Sequence, residues 1–275
     1  MNIKSMVSLE FLVVALALCG VMTLCGCASS AEDSSQATDG RSDLVTDSDE
    51  SAQRKRARIR VELALGYFEQ GKTTIALDEI KQSIAIDPTY GDAFSLRGSI
   101  YMRLNDYALA QDSFYKALTL KPRDSNVLHN IGWLKCQQGL YPQAFEFFAK
   151  ALANPLYGER AKTWMTQGLC QVRAGALAGA EVSLLKSYEY DAGNPITGFN
   201  LAKVLYLRAD DSRAQFYIRR LNNTELANAE TLWLGIKIER RIANLDAMNQ
   251  LATQLVKRFS QSPEAASYQR GAFDE

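Results

Sequence analysis

Residues able to do covalent chemistry are few in this chain of 275 amino acids, which has one histidine and five cysteines. His129 and Cys136 lie seven residues apart. On a helix that is two turns, so thiol and imidazole would share a face, as in a cysteine nucleophile with its base. Such a pair also needs a third group to orient the base, and the sequence offers none. It contains no Walker loop, zinc signature, GxSxG or HExxH motif. A single histidine argues against a histidine-based metal site. Lys plus Arg equals Asp plus Glu at 31 each, so there is no bulk field to gather nucleic acid. The composition therefore reads as a binding protein, with no enzyme activity, cofactor, metal or small-molecule substrate. His129 is expected to be a polar residue lining a groove.

A different cysteine chemistry is written near the N-terminus. Lys4 precedes an apolar stretch from Phe11 to Leu24, 14 residues long. A membrane-spanning helix needs about 20. The stretch ends in Leu24-Cys25-Gly26-Cys27-Ala28-Ser29. This run resembles the bacterial lipobox, whose last cysteine is acylated and becomes the first residue. Cys25 is unusual at the second place of that box, and an ordinary cleaved signal peptide is the alternative. Ala28, rather than Asp, follows Cys27, which favours the outer over the inner membrane. The expectation is a signal peptide over 1–26 and a lipid on Cys27. The protein would then be anchored in the outer membrane and face the periplasm. Several acyl chains on one cysteine would hold it stably, unlike a single chain.

Residues 27–53 follow as a tether. They are rich in Ser, Asp, Ala and Thr, with seven acidic residues against Arg41 alone. Such a segment has too little apolar surface to fold by itself. Its reach is on the order of 30 Å. The basic run Arg54-Lys55-Arg56, with Arg58 and Arg60, reads either as the solvated start of a helix or as a contact for anionic lipid heads.

From about residue 57 the chain repeats itself. Alanines recur at Ala76, Ala110, Ala144, Ala180, Ala214 and Ala247, with spacings of 34, 34, 36, 34 and 33. Four residues after each comes a bulky one: Ile80, Phe114, Phe148, Leu184, Ile218, Leu251. Gly98, Gly132 and Gly168 precede their alanines by twelve, and Pro88 and Pro122 close the first two units. A fixed period of this size marks a solenoid. The pattern resembles the tetratricopeptide (TPR) repeat, a pair of antiparallel helices A and B. Small residues sit where the two helices cross closely, bulky ones fill the space between units, and Asn105, Gly139 and Gly175 suit the turn after helix A. One unit cannot bury its apolar face alone, so stacking makes the core. The expected fold is all-α, a right-handed superhelical solenoid of six TPR helix-turn-helix repeats. They lie near 57–90, 91–124, 125–158, 161–194, 195–227 and 228–262, in a domain spanning 54–265 with a tail over 266–275.

In the TPR fold, fixed positions of helix A line the concave side. Here they are Leu65 and Phe68, Ser99 and Met102, then Asn126, His129 and Trp133, then Met165 and Leu169. A row of exposed apolar side chains suits an amphipathic helix or an extended peptide. The same stripe is also compatible with core packing. Cys136 and Cys170 fall late in helix A of repeats 3 and 4, where neighbouring A helices lie side by side. They are candidates for a disulfide, with two buried thiols as the alternative.

Longer runs narrow the class. Cys136-Gln137-Gln138-Gly139-Leu140-Tyr141, Ala151 to Tyr157, Gly168 to Gly175 and Glu230 to Arg240 resemble the type IV pilus biogenesis/stability lipoproteins, the PilF/PilW family. The resemblance covers about residues 55–265 and the lipobox. It implies a pilotin-like protein with six TPRs at the inner leaflet of the outer membrane. Such a protein binds the pilus secretin and promotes its localisation and multimerisation there. It also implies a groove in the early repeats, which carries over to Leu65, Phe68, Met102 and Trp133. The competing expectation is a general periplasmic scaffold for cell-wall enzymes or outer-membrane protein assembly.

Overall fold

The computed structural model describes residues 49–273. The signal segment, Cys27 and the tether up to residue 48 lie outside the described residues. Those described form thirteen helices and no strand. They run α1 (Ala52–Glu69), α2 (Thr73–Ile86), α3 (Gly91–Arg103), α4 (Tyr107–Leu120), α5 (Ser125–Gln137), α6 (Tyr141–Leu152) and α7 (Arg160–Arg173). Then follow α8 (Leu177–Tyr190), α9 (Pro195–Leu207), α10 (Asp211–Asn222), α11 (Ala229–Arg241), α12 (Leu245–Arg258) and α13 (Pro263–Arg270). Odd-numbered helices up to α11 are the A helices and even-numbered ones the B helices. Each A helix packs on its own B helix and on the next A helix, and each B helix on the A helix that follows. This is the TPR-type solenoid of six units. None of the described helices is long and apolar enough to cross a membrane.

The small residues sit where the helices cross. A Cβ on Gly132 would lie 2.8 Å from the Phe148 ring, so glycine is what lets α5 settle on α6. Ala76, Ala110, Ala144, Ala180 and Ala214, with Ile80, Phe114, Phe148, Leu184 and Ile218, are fully buried. Every A-to-B turn passes through one residue with positive φ: Gly71, Asn105, Gly139, Gly175, Ala209 and Ala243. Side-chain caps start many helices, among them Asp106 on Leu109 N, Asp124 on Val127 N and Asn228 in a capping box with Thr231.

Two ends differ from the sequence expectation. Helix α1 begins at Ala52, inside the stretch read as tether, because Ser51 caps Arg54 N. The last helix, α13, occupies much of what was read as a tail. Its Ala265 is fully buried, and Tyr268 and Phe273 pack on the cluster around Trp233 and Leu232. It covers the apolar side that α11 and α12 would otherwise leave to water, as an end unit of a solenoid must. The basic run has protein partners. Arg54 pairs with Asp87 at 2.5 Å, Arg58 with Glu50 and Glu62 at 3.0 and 2.7 Å, and Arg60 with Glu79 at 2.6 Å.

Candidate protein-binding groove

Helices α1, α3 and α5 lie side by side and leave a groove of about 400 Å³ across their C-terminal halves. Phe68, Met102 and Trp133 supply its apolar surface, one from each of the first three repeats. Ser99, Asn130 and Gln137 bring hydroxyl and amide groups. Arg103 adds one positive charge.

The aromatic rings are held by arginines from the next A helix. The Arg103 guanidinium stands 3.5 Å from the Phe68 ring centre and donates to the Phe68 carbonyl. Arg173 stands 5.7 Å over Trp133 and donates to Gln137 Oε1 at 2.8 Å. Arg241 repeats the arrangement on Tyr206, 3.6 Å from the ring centre, donating to the Tyr206 carbonyl and pairing with Asp211. Each contact joins a cation–π attraction to a charged hydrogen bond, so it fixes both ring and register.

Behind Trp133, Cys136 and Cys170 are joined as a disulfide, with Cα atoms 5.9 Å apart, among Phe148, Tyr141 and Phe145. The bond ties α5 to α7. It also leaves Cys136 no free thiol, so the cysteine–histidine nucleophile has no basis in this structure.

Not every residue chosen by spacing reaches the groove. Phe68, Ser99, Met102 and Trp133 line it; Leu65, His129, Met165 and Leu169 do not. Leu65 is 43% exposed, nearly one turn before Phe68 on α1. Met165 packs on the core of the later repeats, and Leu169 is half-buried. His129 requires a correction, since it is only 6% exposed. Its Nδ1 lies 2.9 Å from Thr163 Oγ1, which is itself 3.1 Å from the Tyr157 hydroxyl. Tyr157 belongs to the loop between α6 and α7, so Thr163 links that loop to the imidazole, and the Phe148 ring centre lies 5.9 Å from that of His129. Burial, with a smaller push from Lys162, lowers the His129 pKa to about 4.

The helix A positions chosen by spacing end in repeat 4, and a second concavity lies beyond them, between α9, α11 and α13. The 34-residue step from Phe199 to Trp233 was the available signal. The overall charge balance also conceals a segregation. Residues 54–275 hold 29 Lys and Arg against 23 Asp and Glu, a net of +6, which the acidic residues of 27–53 offset. Among the described residues no group of three or more His, Cys, Asp and Glu is placed to hold a metal.

Comparison with known proteins agrees with this architecture. The tetratricopeptide repeat family model matches residues 91–124. The type IV pilus assembly protein PilF of Pseudomonas aeruginosa is 25% identical over 246 residues, covering 90% of this chain and 93% of PilF. The P. aeruginosa PilF structure superposes with a TM-score of 0.72 at 24% identity, over 80% of this chain and 100% of that one. The crystal structure of PilW, a widely conserved type IV pilus biogenesis factor, gives a TM-score of 0.71 at 28% identity, over 77% of this chain and 97% of that one. The chain is a PilF/PilW-like tetratricopeptide-repeat protein.

Proposed function

We propose that this protein is an outer-membrane lipoprotein of type IV pilus biogenesis. It captures a segment of the pilus secretin in the groove of repeats 1 to 3 and promotes secretin localisation and multimerisation. The observation that carries the reading is the groove itself: Phe68, Met102 and Trp133 in one row, braced by Arg103 and Arg173. The near full-length likeness to PilF and PilW supports the choice of pilus machinery as the setting. A captured segment would lay apolar side chains on that row, while Ser99, Asn130 and Gln137 take its backbone groups. Rings held in place before binding lose little freedom when a partner arrives, which favours affinity. The lipid on Cys27 would keep the captured subunit at the membrane where the ring assembles.

The test is genetic and biochemical. Deletion should abolish secretin multimers in outer-membrane fractions and pili on the surface. Met102→Glu should reproduce that loss without loss of protein level. Truncating a central groove residue costs on the order of 2 kcal/mol or more of binding. Secretin multimers that persist at normal abundance in the deletion strain would refute the proposal.

A further inference from the structure

The second concavity, of about 260 Å³, lies between α9, α11 and α13. Its side chains fall into rows. Phe199 and Trp233 are 34 residues apart, as are Lys203 and Lys237, and Glu230 and Glu264. Equivalent positions on successive helices therefore carry the same chemistry. Along α9 and α11 each lysine follows its aromatic by four residues, and Glu230 precedes Trp233 by three. The order along the helix axis is carboxylate, aromatic, ammonium, with rows about 5 Å apart.

Three of the charges in these rows, Lys203, Glu230 and Glu264, do not neutralise one another. Among the described residues Lys203, Glu230 and Glu264 make no ion pair. The glutamates sit in the first turns of α11 and α13, where the helix dipole favours a carboxylate. The lysines have no such local reason, since Lys203 and Lys237 are two turns or more into their helices. Lys237 Nζ stands 5.6 Å from the Trp233 ring centre and 5.7 Å from that of Tyr206. The aromatic and ammonium rows thus adjoin, on an array whose net charge of +6 over residues 54–275 favours an acidic partner.

We propose that this groove docks an extended protein segment bearing a large apolar side chain and, two residues away, a carboxylate. In an extended chain, side chains two residues apart point the same way and stand about 6.5 Å apart. That is close to one helical turn of about 5.4 Å, the step from the aromatic to the lysine row. The apolar side chain lies against Phe199, with the largely buried Trp233 beside it, and the carboxylate meets Lys203, with Lys237 next to it. The glutamate row repels a carboxylate on the other side, so the segment is read in one direction only. The site is separate from the groove of repeats 1 to 3, and its existence does not depend on what that groove binds.

The test uses short dye-labelled peptides with acetylated and amidated ends, titrated by fluorescence anisotropy against the full-length chain. Two carry Phe-Ser-Asp or Asp-Ser-Phe at the centre, and two carry lysine in place of the aspartate. At least one acidic peptide should bind, with its lysine counterpart about tenfold weaker. Lys203→Glu, an exposed change, should reverse that order. Phe199→Ala should weaken binding roughly fivefold. Met102→Glu, in the other groove, should leave it within about twofold. The proposal is overturned by acidic and basic peptides binding alike, by loss of binding in Met102→Glu instead of Lys203→Glu, or by no binding up to about 1 mM.

Discussion

Ala209 and Ala243 turn the chain from helix A to helix B in repeats 5 and 6, each with φ near 60°. Repeats 1 to 4 use Gly71, Asn105, Gly139 and Gly175 at that place. The left-handed conformation brings an alanine Cβ close to the next carbonyl oxygen, at a cost of about 1–2 kcal/mol. Replacing it with glycine removes that cost but gives the unfolded chain more freedom, offsetting about 0.5–1 kcal/mol. Ala209→Gly and Ala243→Gly should therefore each stabilise the array by about 0.5–1 kcal/mol. The sites lie in different repeats, so the double change should give about 1–2 kcal/mol. Steric room is not the issue, because a Cβ on Gly71, Gly139 or Gly175 would meet nothing within 4 Å. Gly175→Ala is thus a pure backbone control and should destabilise by a similar amount. Guanidinium unfolding followed by far-UV circular dichroism reads the midpoints, and the Tm should rise about 2–4 °C per kcal/mol in a domain of this size. A lowered midpoint for Ala209→Gly, or an unchanged one for Gly175→Ala, would refute the backbone argument.

Removing the disulfide as Cys136→Ala with Cys170→Ala opens a loop of 34 residues. It should cost roughly 3–4 kcal/mol on chain-entropy grounds, read as a lower guanidinium midpoint under non-reducing conditions. The pKa of His129, held at about 4 in the fold, makes stability pH-dependent. The unfolded chain takes up this proton near pH 6.5 and the native state only near 4, so stability is full above about 6.5 and falls by up to about 3 kcal/mol as pH drops through 4. Denaturation curves between pH 7.5 and 4 should show that slope, and His129→Gln should remove it. Gly132→Ala places a Cβ 2.8 Å from the Phe148 ring. It should destabilise by about 1–3 kcal/mol, checked by thermal melting.

The repeat architecture was legible because its signals are backbone requirements. Close crossings demand small residues, as at Gly132, and turns demand a residue tolerant of positive φ, as at Gly139. Both recur with the period of the structure. The groove was legible in part. Phe68, Met102 and Trp133 obey the spacing rule for helix A, but so does His129, which is buried against Thr163 of α7. Spacing says which face of its own helix a residue occupies and nothing about what a neighbouring element lays over it. The arginine contacts were beyond reach for a similar reason. Each joins residues about 35 apart through side chains whose conformation is decided only when the repeats stack. Helix α13 escaped notice because it lacks the alanine and bulky-residue pair that marks each repeat, although it starts 34 residues after α11, at a cap from Ser262.

The arginines that reach across repeat boundaries have a mechanical consequence. A solenoid flexes through small rotations between neighbouring units, like the coils of a spring. Arg103, Arg173 and Arg241 each bridge one such boundary and end on an aromatic ring at the inner surface. Bending the spring therefore shifts the rings, and an object wedged against the rings changes the curvature. Load on the array and grip on its cargo are one elastic variable, so traction transmitted through the repeats would be felt where the cargo is held.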